Sequence, residues 1–263
     1  MSDKEVQHPN GSKLKFNEAA HSYTSGKKKY TSATTFLGQF FPKFEADRIA
    51  YFVARKRGIT KQAVLKEWEA NKNAACDFGT AVHLYAELYI QDLKLNKPNN
   101  DREKNIFPLV EKAIDDILVK YEFVDSEKIV FSPKHGIAGT IDLVLRNKET
   151  GKLCLLDYKT NKQIVKENRY SKPAYPPIEE HNDANFTKYM FQLNLYKYIM
   201  ETEGYCDKDE IEELTLLHIL ADSLKEYEVP FIQNDIETLL QYIVDKKEKD
   251  RHNKEYKEGD EAL

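Results

Sequence analysis

The stretch GTIDLVLRNKETGKLCLLDYKT, Gly139 to Thr160, decides the fold. It holds two apolar runs. Asp142 stands at the start of the first and Asp157 at the end of the second. Between them Asn147–Gly151 reads as a hairpin loop, with a glycine for the positive φ angle of a tight reversal. The reading is two antiparallel strands, Ile137 to Arg146 and Lys152 to Thr160, preceded by a short strand at Lys128–Ser132. Asp157 and Lys159 are two residues apart and project from one face of their strand. Asp142 can approach them across the ladder, and Tyr158 offers a backbone carbonyl between. Burying a lone carboxylate costs on the order of several kcal/mol, so something must compensate. A divalent cation held by oxygen ligands would do so. Taken alone, these residues fit a structural Asp–Lys pair at the sheet surface rather better.

Upstream of this meander the pattern is mostly helical. Phe16 to Thr31 reads as a hairpin turning at Ser25-Gly26, with Tyr23 and Tyr30 flanking it. Ser32 or Thr34 caps a short helix through Phe41, which Pro42 ends. Helices follow at Glu45–Arg57, stopped by Gly58, from a Thr60 cap to about Asn71, and from Asn73 to Gln91. Asp101 to Tyr121 is a long helix with Phe107, Val110, Ile114, Ile117, Leu118 and Tyr121 on one face. Downstream, Thr160–Asn185 is loop, Phe186–Glu203 helix, Glu213–Leu220 and Glu226–Ile232 strands, and Asp235 to about Lys249 a closing helix. The fold class is α/β (α+β), with a central mixed sheet flanked by helices and a helical N-terminal part. One domain spans 1–263, with an N-terminal subregion at 1–72, a core at 73–250 and a charged tail at 251–263.

Composition bounds the function. With 41% hydrophobic and 32% charged residues among 263, the chain reads as a soluble globular protein. No apolar run approaches the ~18 residues of a membrane span. The N-terminus, MSDKEVQHPNGSK, lacks the apolar core of a signal peptide, so an intracellular location is expected. Three scattered cysteines, Cys76, Cys154 and Cys206, suggest no disulfide framework and cannot by themselves ligate an iron–sulfur cluster. A net charge of −4 argues against a protein that coats nucleic acid by bulk attraction, though not against a local basic groove.

Two further patterns carry chemistry. Gly79 precedes His83 and Glu87, which share a helix face at i and i+4. Glycine inside a helix costs about 1 kcal/mol relative to alanine, which hints at close approach by another group. Gln192 and Tyr196 are again i and i+4, in YMFQLNLYKYIM, either as part of a mixed core helix or facing the sheet's carboxylates.

In order, these pieces are Gly79/His83, Gly139/Asp142, Asp157/Lys159/Thr160 and Gln192/Tyr196. The series resembles the RecB-type branch of the PD-(D/E)XK nucleases. The opening HSYTSGKKKYTSATTFLGQFFPKFEADRIA is also similar to phage-type and mitochondrial genome-maintenance exonucleases of that branch. The resemblance spans roughly Phe16 to Leu240. It implies a restriction-endonuclease-like core and a metal-dependent DNA exonuclease of recombination, repair or replication. His83, Asp142, Asp157 and the Tyr158 carbonyl would hold Mg²⁺ or Mn²⁺, with Glu87 behind them or on a second ion. Lys159 would position and activate water, and Gln192 and Tyr196 would support the site and the DNA. Gly139-Thr-Ile-Asp142 stands where the family name has Pro-Asp. The cysteine tetrad of the iron–sulfur relatives is missing, and no phosphate-binding G-x-x-x-x-G-K-[ST] occurs, so neither a cluster nor ATP is expected.

The expected substrate is DNA, single-stranded or with a free end. It would be guided by Arg55 and Lys56 on the early helix and by Thr160, Lys162, Lys166 and Arg169 in the loop, where Tyr170 and Tyr175 interleave. A recombinase or single-strand-binding protein is the kind of protein partner implied, in the cytoplasm of a bacterium or a phage-infected host, with no membrane involved. Two alternatives remain: a structure-specific endonuclease, and a non-catalytic nucleic-acid-binding protein on a nuclease fold.

Overall fold

The computed structural model describes residues 4–18, 20–167 and 172–260. Among the described residues nine strands form one mixed sheet with six α-helices around it. Strands β1 (Lys4–Gln7), β2 (Lys13–Asn17), β3 (Ser22–Ser25) and β4 (Lys28–Ser32) make an antiparallel meander. The β3–β4 turn falls at Gly26, φ +56°, and Tyr23 pairs with Tyr30 as expected. The first two strands were not legible, because LysGluValGln and LysLeuLysPheAsn carry little apolar signal.

Helix α1 (Ala33–Leu37) is capped by Ser32, whose Oγ accepts the Thr35 N–H at 3.2 Å. Helix α2 (Ala46–Arg57) ends at Gly58 in the left-handed conformation, φ +67°. Helix α3 is a single helix from Lys61 to Ile90, capped by Thr60, where two helices were expected. Asn73, where the second was expected to begin, lies in the run GluAlaAsnLysAsnAlaAla, rich in good helix formers and free of Gly and Pro, so nothing stops the helix there. The division drawn at residue 72/73 therefore falls within α3.

Helix α4 (Asp101–Lys120) leads directly into β5 (Tyr121–Ser132), which starts seven residues earlier than expected and is 12 residues long. Strands β6 (Ile137–Asn147) and β7 (Leu153–Lys159) complete the expected antiparallel meander. Helix α5 (Asn185–Thr202) crosses back, so that β8 (Ile211–Ile219) pairs parallel with β7. Strand β9 (Leu224–Glu228) forms the sheet edge and stops before Pro230, which has no N–H to give the ladder. Helix α6 (Gln233–Asp260) runs past the expected end near Lys249.

The sheet is covered on both faces. On one, α1, α5 and α6 pack Phe36, Phe191, Leu195 and Leu239 against Val130, Leu155 and Leu216. On the other, α3 and α4 pack Val82, Ala86, Val110 and Ile114 against Leu143, Leu145 and Leu156. Helix α2 joins neither face. It packs Ala50 and Ala54 on Val64, Leu65 and Trp68 at the start of α3, as a small satellite core. All three cysteines are free, and no described helix is long and apolar enough to cross a membrane.

Candidate active site

The site is built at a fork in the sheet. β5 pairs with β6 along its whole length, occupying one edge. On the other edge, β7 pairs with residues 143–146 and β4 runs parallel to residues 137–138. The stretch between, Gly139-Thr140-Ile141-Asp142, has no strand on that edge. Continued one step past the last pair, Leu143↔Leu156, the register sets Asp142 opposite Asp157. The strands have parted there. The Tyr158 N–H donates to Asp142 Oδ2 at 2.8 Å, a side chain standing in for the missing ladder carbonyl.

Each side of the fork adds a helix. α3 brings His83, whose Nδ1 lies 3.4 Å from Asp142 Oδ2. Its Gly79 packs against Thr160; a Cβ there would meet Thr160 Oγ1 at 3.3 Å, which explains the helical glycine. From the opposite face, α5 lays one stripe of side chains across the strands. Phe186 meets Tyr227 of β9, with ring centroids 6.3 Å apart. The Tyr189 ring lies under the Lys159 ammonium, 4.5 Å from its centroid. Gln192 Nε2 donates to Asp157 Oδ1 at 3.4 Å and to the Tyr196 hydroxyl at 3.2 Å. The Tyr196 ring lies flat against Gly139, where a Cβ would sit 2.4 Å from Cε1. The spacings of three, three and four are those of one helix face. Gly139 is glycine because the ring occupies the space of a side chain.

Charge at the fork is concentrated and poorly solvated. Asp157 is 3% exposed, and its Oδ2 is in ion-pair contact with the Lys159 ammonium. Burial pushes the Asp157 pKa up to about 6, with Asp142 adding to the rise and Lys159 opposing it. Burial works the same way on Asp142, but His83, Lys159 and the Tyr158 N–H outweigh it and hold that carboxyl below its usual range. Burial would lower His83, yet the two aspartates overcome it and raise it to about 9. Lys159 likewise ends raised, because Asp157 and Asp142 outweigh its burial. The two carboxylates are thus driven apart in proton affinity within one pocket.

Sequence reasoning missed one member. Glu127 of β5 lies across the ladder from Asp142, between the pairs Ser126↔Leu143 and Lys128↔Ile141. The ligand atoms of His83, Glu127 and Asp142 all lie within 4.8 Å of one another, a grouping that can hold a metal ion. Glu127 has φ +48°, an uncommon backbone for a side-chain-bearing residue. Burial, with Asp142 adding to the effect, raises its pKa to about 7. Extending β5 seven residues toward the N-terminus and pairing it with β6 sets Glu127 beside Asp142. Glu87, the expected extra ligand, is half-buried one turn beyond His83. It is near enough to help raise Glu127, but it is not one of the three.

The expected nucleic-acid contacts divide. Thr160 adjoins the fork, and Lys162 follows it, exposed. Lys166 sits 4.7 Å above the Phe186 ring. Arg55 lies over Tyr51 and Lys56 is exposed, both in the last turn of α2. Arg57 beside them pairs with Glu67 at 2.9 Å, and Glu67 to His83 is about 24 Å of helix. Arg55 and Lys56 are therefore remote from the fork. Arg169 and Tyr170 lie outside the described residues.

No model of a known protein family and no curated protein matches the chain. Among solved structures, "Crystal structure of SSO0001" aligns with 63% of this chain and 84% of its own, at 16% identity and a TM-score of 0.25. A likeness that slight carries no argument about fold or function.

Proposed function

We propose that the chain is a metal-dependent deoxyribonuclease of the RecB-type PD-(D/E)XK class, hydrolysing phosphodiester bonds as an exonuclease that acts on single strands or free ends. The observation that carries this reading is the fork itself. It gathers Asp142, Asp157, Lys159, His83, Gln192 and Tyr196 from four separate elements, with two carboxylates, a histidine and a lysine in direct contact.

The residues fit a hard divalent cation. Glu127 has no hydrogen-bond partner among the described residues, and the donor set is one imidazole with carboxylate oxygens. His83, Asp142, Asp157, the Tyr158 carbonyl and Glu127 would hold Mg²⁺ or Mn²⁺. When bound, the ion supplies Lewis-acid polarisation of the phosphate and neutralises its charge. The chain's own groups do the rest. Lys159, held by Asp157 and the Tyr189 ring, directs its ammonium at the attacking water and the phosphate oxygens. Gln192 fixes Asp157 and Tyr196, and Tyr196 braces β6 at Gly139. Asp142 holds both His83 and the Tyr158 backbone N–H through one oxygen, Oδ2. The test is digestion of end-labelled single- and double-stranded DNA with Mg²⁺ or Mn²⁺, beside EDTA and an Asp142→Asn control. Ion-dependent shortening from an end, absent in the variant, is expected. Cutting of a closed single-stranded circle would favour the endonuclease, and no cutting under any condition would favour the binding protein.

A further inference from the structure

Two rows of residues run sideways across the sheet from the fork. Lys159 of β7 pairs with His218 of β8, which pairs with Lys225 of β9; Asp157 pairs with Leu216, which pairs with Tyr227. Laterally paired residues share a face. Lys225 and Tyr227 therefore stand on the same side of the sheet as Lys159 and Asp157, two strand spacings or about 10 Å away. The α5 stripe agrees, since Phe186 at its start meets Tyr227 and Tyr189 one turn later meets Lys159.

A cavity of about 630 Å³ opens at that place, between β9 and the segment that follows β7. Ile164, Lys166, Lys225 and Tyr227 line it, with Glu226 and Glu228 also at its wall. The Lys225 ammonium is 4.8 Å from the Tyr227 ring centroid, and Lys166 is 5.8 Å from it and 4.7 Å from Phe186. No carboxylate among the described residues ion-pairs with either lysine. His218 Nε2 contacts the Asn161 carbonyl and ties the start of the loop to the middle of the row.

We propose that this cavity is a nucleotide subsite flanking the reacting phosphodiester. Lys166 and Lys225 take a phosphate and the Tyr227–Phe186 aromatic edge takes a base of a single strand. This rests on the nuclease reading for its purpose, but its binding chemistry stands alone. Two ammoniums with an aromatic between them serve a base and its phosphate together. Glu226 and Glu228 alternate with Lys225 and Tyr227 along β9, so the two carboxylates rim the cavity from the other face while the ammonium and the ring share one face.

The test is anisotropy of a fluorescein-labelled oligo(dT) with the whole chain in EDTA, across a salt series. Lys166→Glu with Lys225→Glu should weaken binding at least about 30-fold and reduce the salt slope by about 1.4, two contacts at ~0.7 each. Tyr227→Leu should weaken it about tenfold, the scale of one lost stack. Lys225→Arg should restore most of the loss seen with Lys225→Glu. Lys225 is exposed, so its variants probe binding rather than folding. Unchanged affinity and slope in the double variant, or no oligonucleotide binding by the wild type, would overturn the subsite. Wild-type hydrolysis of bis(p-nitrophenyl) phosphate with Mn²⁺ is measured in parallel. This diester is too small to reach β9, so its failure to turn over counts against the nuclease reading while the binding arm still decides the subsite.

Discussion

Two groups of one histidine and two carboxylates occur among the described residues, and they are built on opposite principles. Glu180, His181 and Asp235 form a satisfied link. His181 Nε2 meets Asp235 Oδ2 at 3.0 Å, and its ring stands edge-on to Phe191 at 4.9 Å. Asp235 lies in the first turn of α6, where the helix dipole favours a negative charge. The link ties a loop to a helix start and leaves little undone. His83, Glu127 and Asp142 are the reverse. Glu127 sits on a left-handed backbone, and no described group hydrogen-bonds its carboxylate. The composition is the same, yet only this group has a half-buried carboxyl, Glu127, with no ion-pair or hydrogen-bond partner among the described residues. On the proposed reading, such an unpartnered carboxyl, more than the count of His, Asp and Glu, is what a bound cation would compensate.

The strongest way to break this comparison is to neutralise one carboxylate in each group. Asp142→Asn or Asp157→Asn should lower DNA cleavage about 10³-fold, the scale for a group that acts on the transition state. Asp235→Asn should leave cleavage unchanged. A gel assay reads both, and the opposite ranking would overturn the assignment. Next in size is Glu127→Gln. It should weaken Mn²⁺ binding about 10- to 100-fold, as loss of a supporting metal contact does, and calorimetric titration reads the change.

A pH series sharpens the contrast further. Glu127 rises from an ordinary 4.5 to about 7 on folding, and Asp157 from 3.8 to about 6. A raised acid favours the folded state while protonated, so stability is lost as pH climbs through those windows. His83 rises from 6.5 to about 9, so its contribution is full below 6.5 and lost toward 9. All three act in one direction. The ion-free protein should melt at progressively lower temperature from pH 4.5 to 9, and Mn²⁺ should restore the loss at pH 7. Glu127→Gln should flatten the part of the EDTA profile between 4.5 and 7; a variant as steep as wild type there would refute the account of Glu127. The smallest effect belongs to the satisfied link. Asp235→Asn should cost about 1 kcal/mol, the worth of one ordinary hydrogen bond, by denaturant unfolding.

The sequence made much of the fork legible because its signals are local. The hairpin loop at Asn147–Gly151, the two-residue spacing of Asp157 and Lys159, and the i, i+4 pairs on α3 and α5 each declare themselves within a few residues. Glu127 did not, because its meaning lies in cross-strand register. Residues 121–127, TyrGluPheValAspSerGlu, alternate too poorly to read as a strand without β6 beside them. Arg55 and Lys56 failed in the other direction. They lie on the early helix as expected, but a continuous α3 carries that helix end far from His83. Gly139 and Gly79 were singled out with no partner known; the partners, Tyr196 and Thr160, are visible only in three dimensions.

The most direct measurement is calorimetric titration of Mn²⁺ into wild type, Asp142→Asn and Asp235→Asn at pH 7. The account predicts saturable binding in wild type, its loss in Asp142→Asn and its retention in Asp235→Asn. Binding that survives Asp142→Asn, or vanishes with Asp235→Asn, would contradict the assignment of the fork as the metal centre.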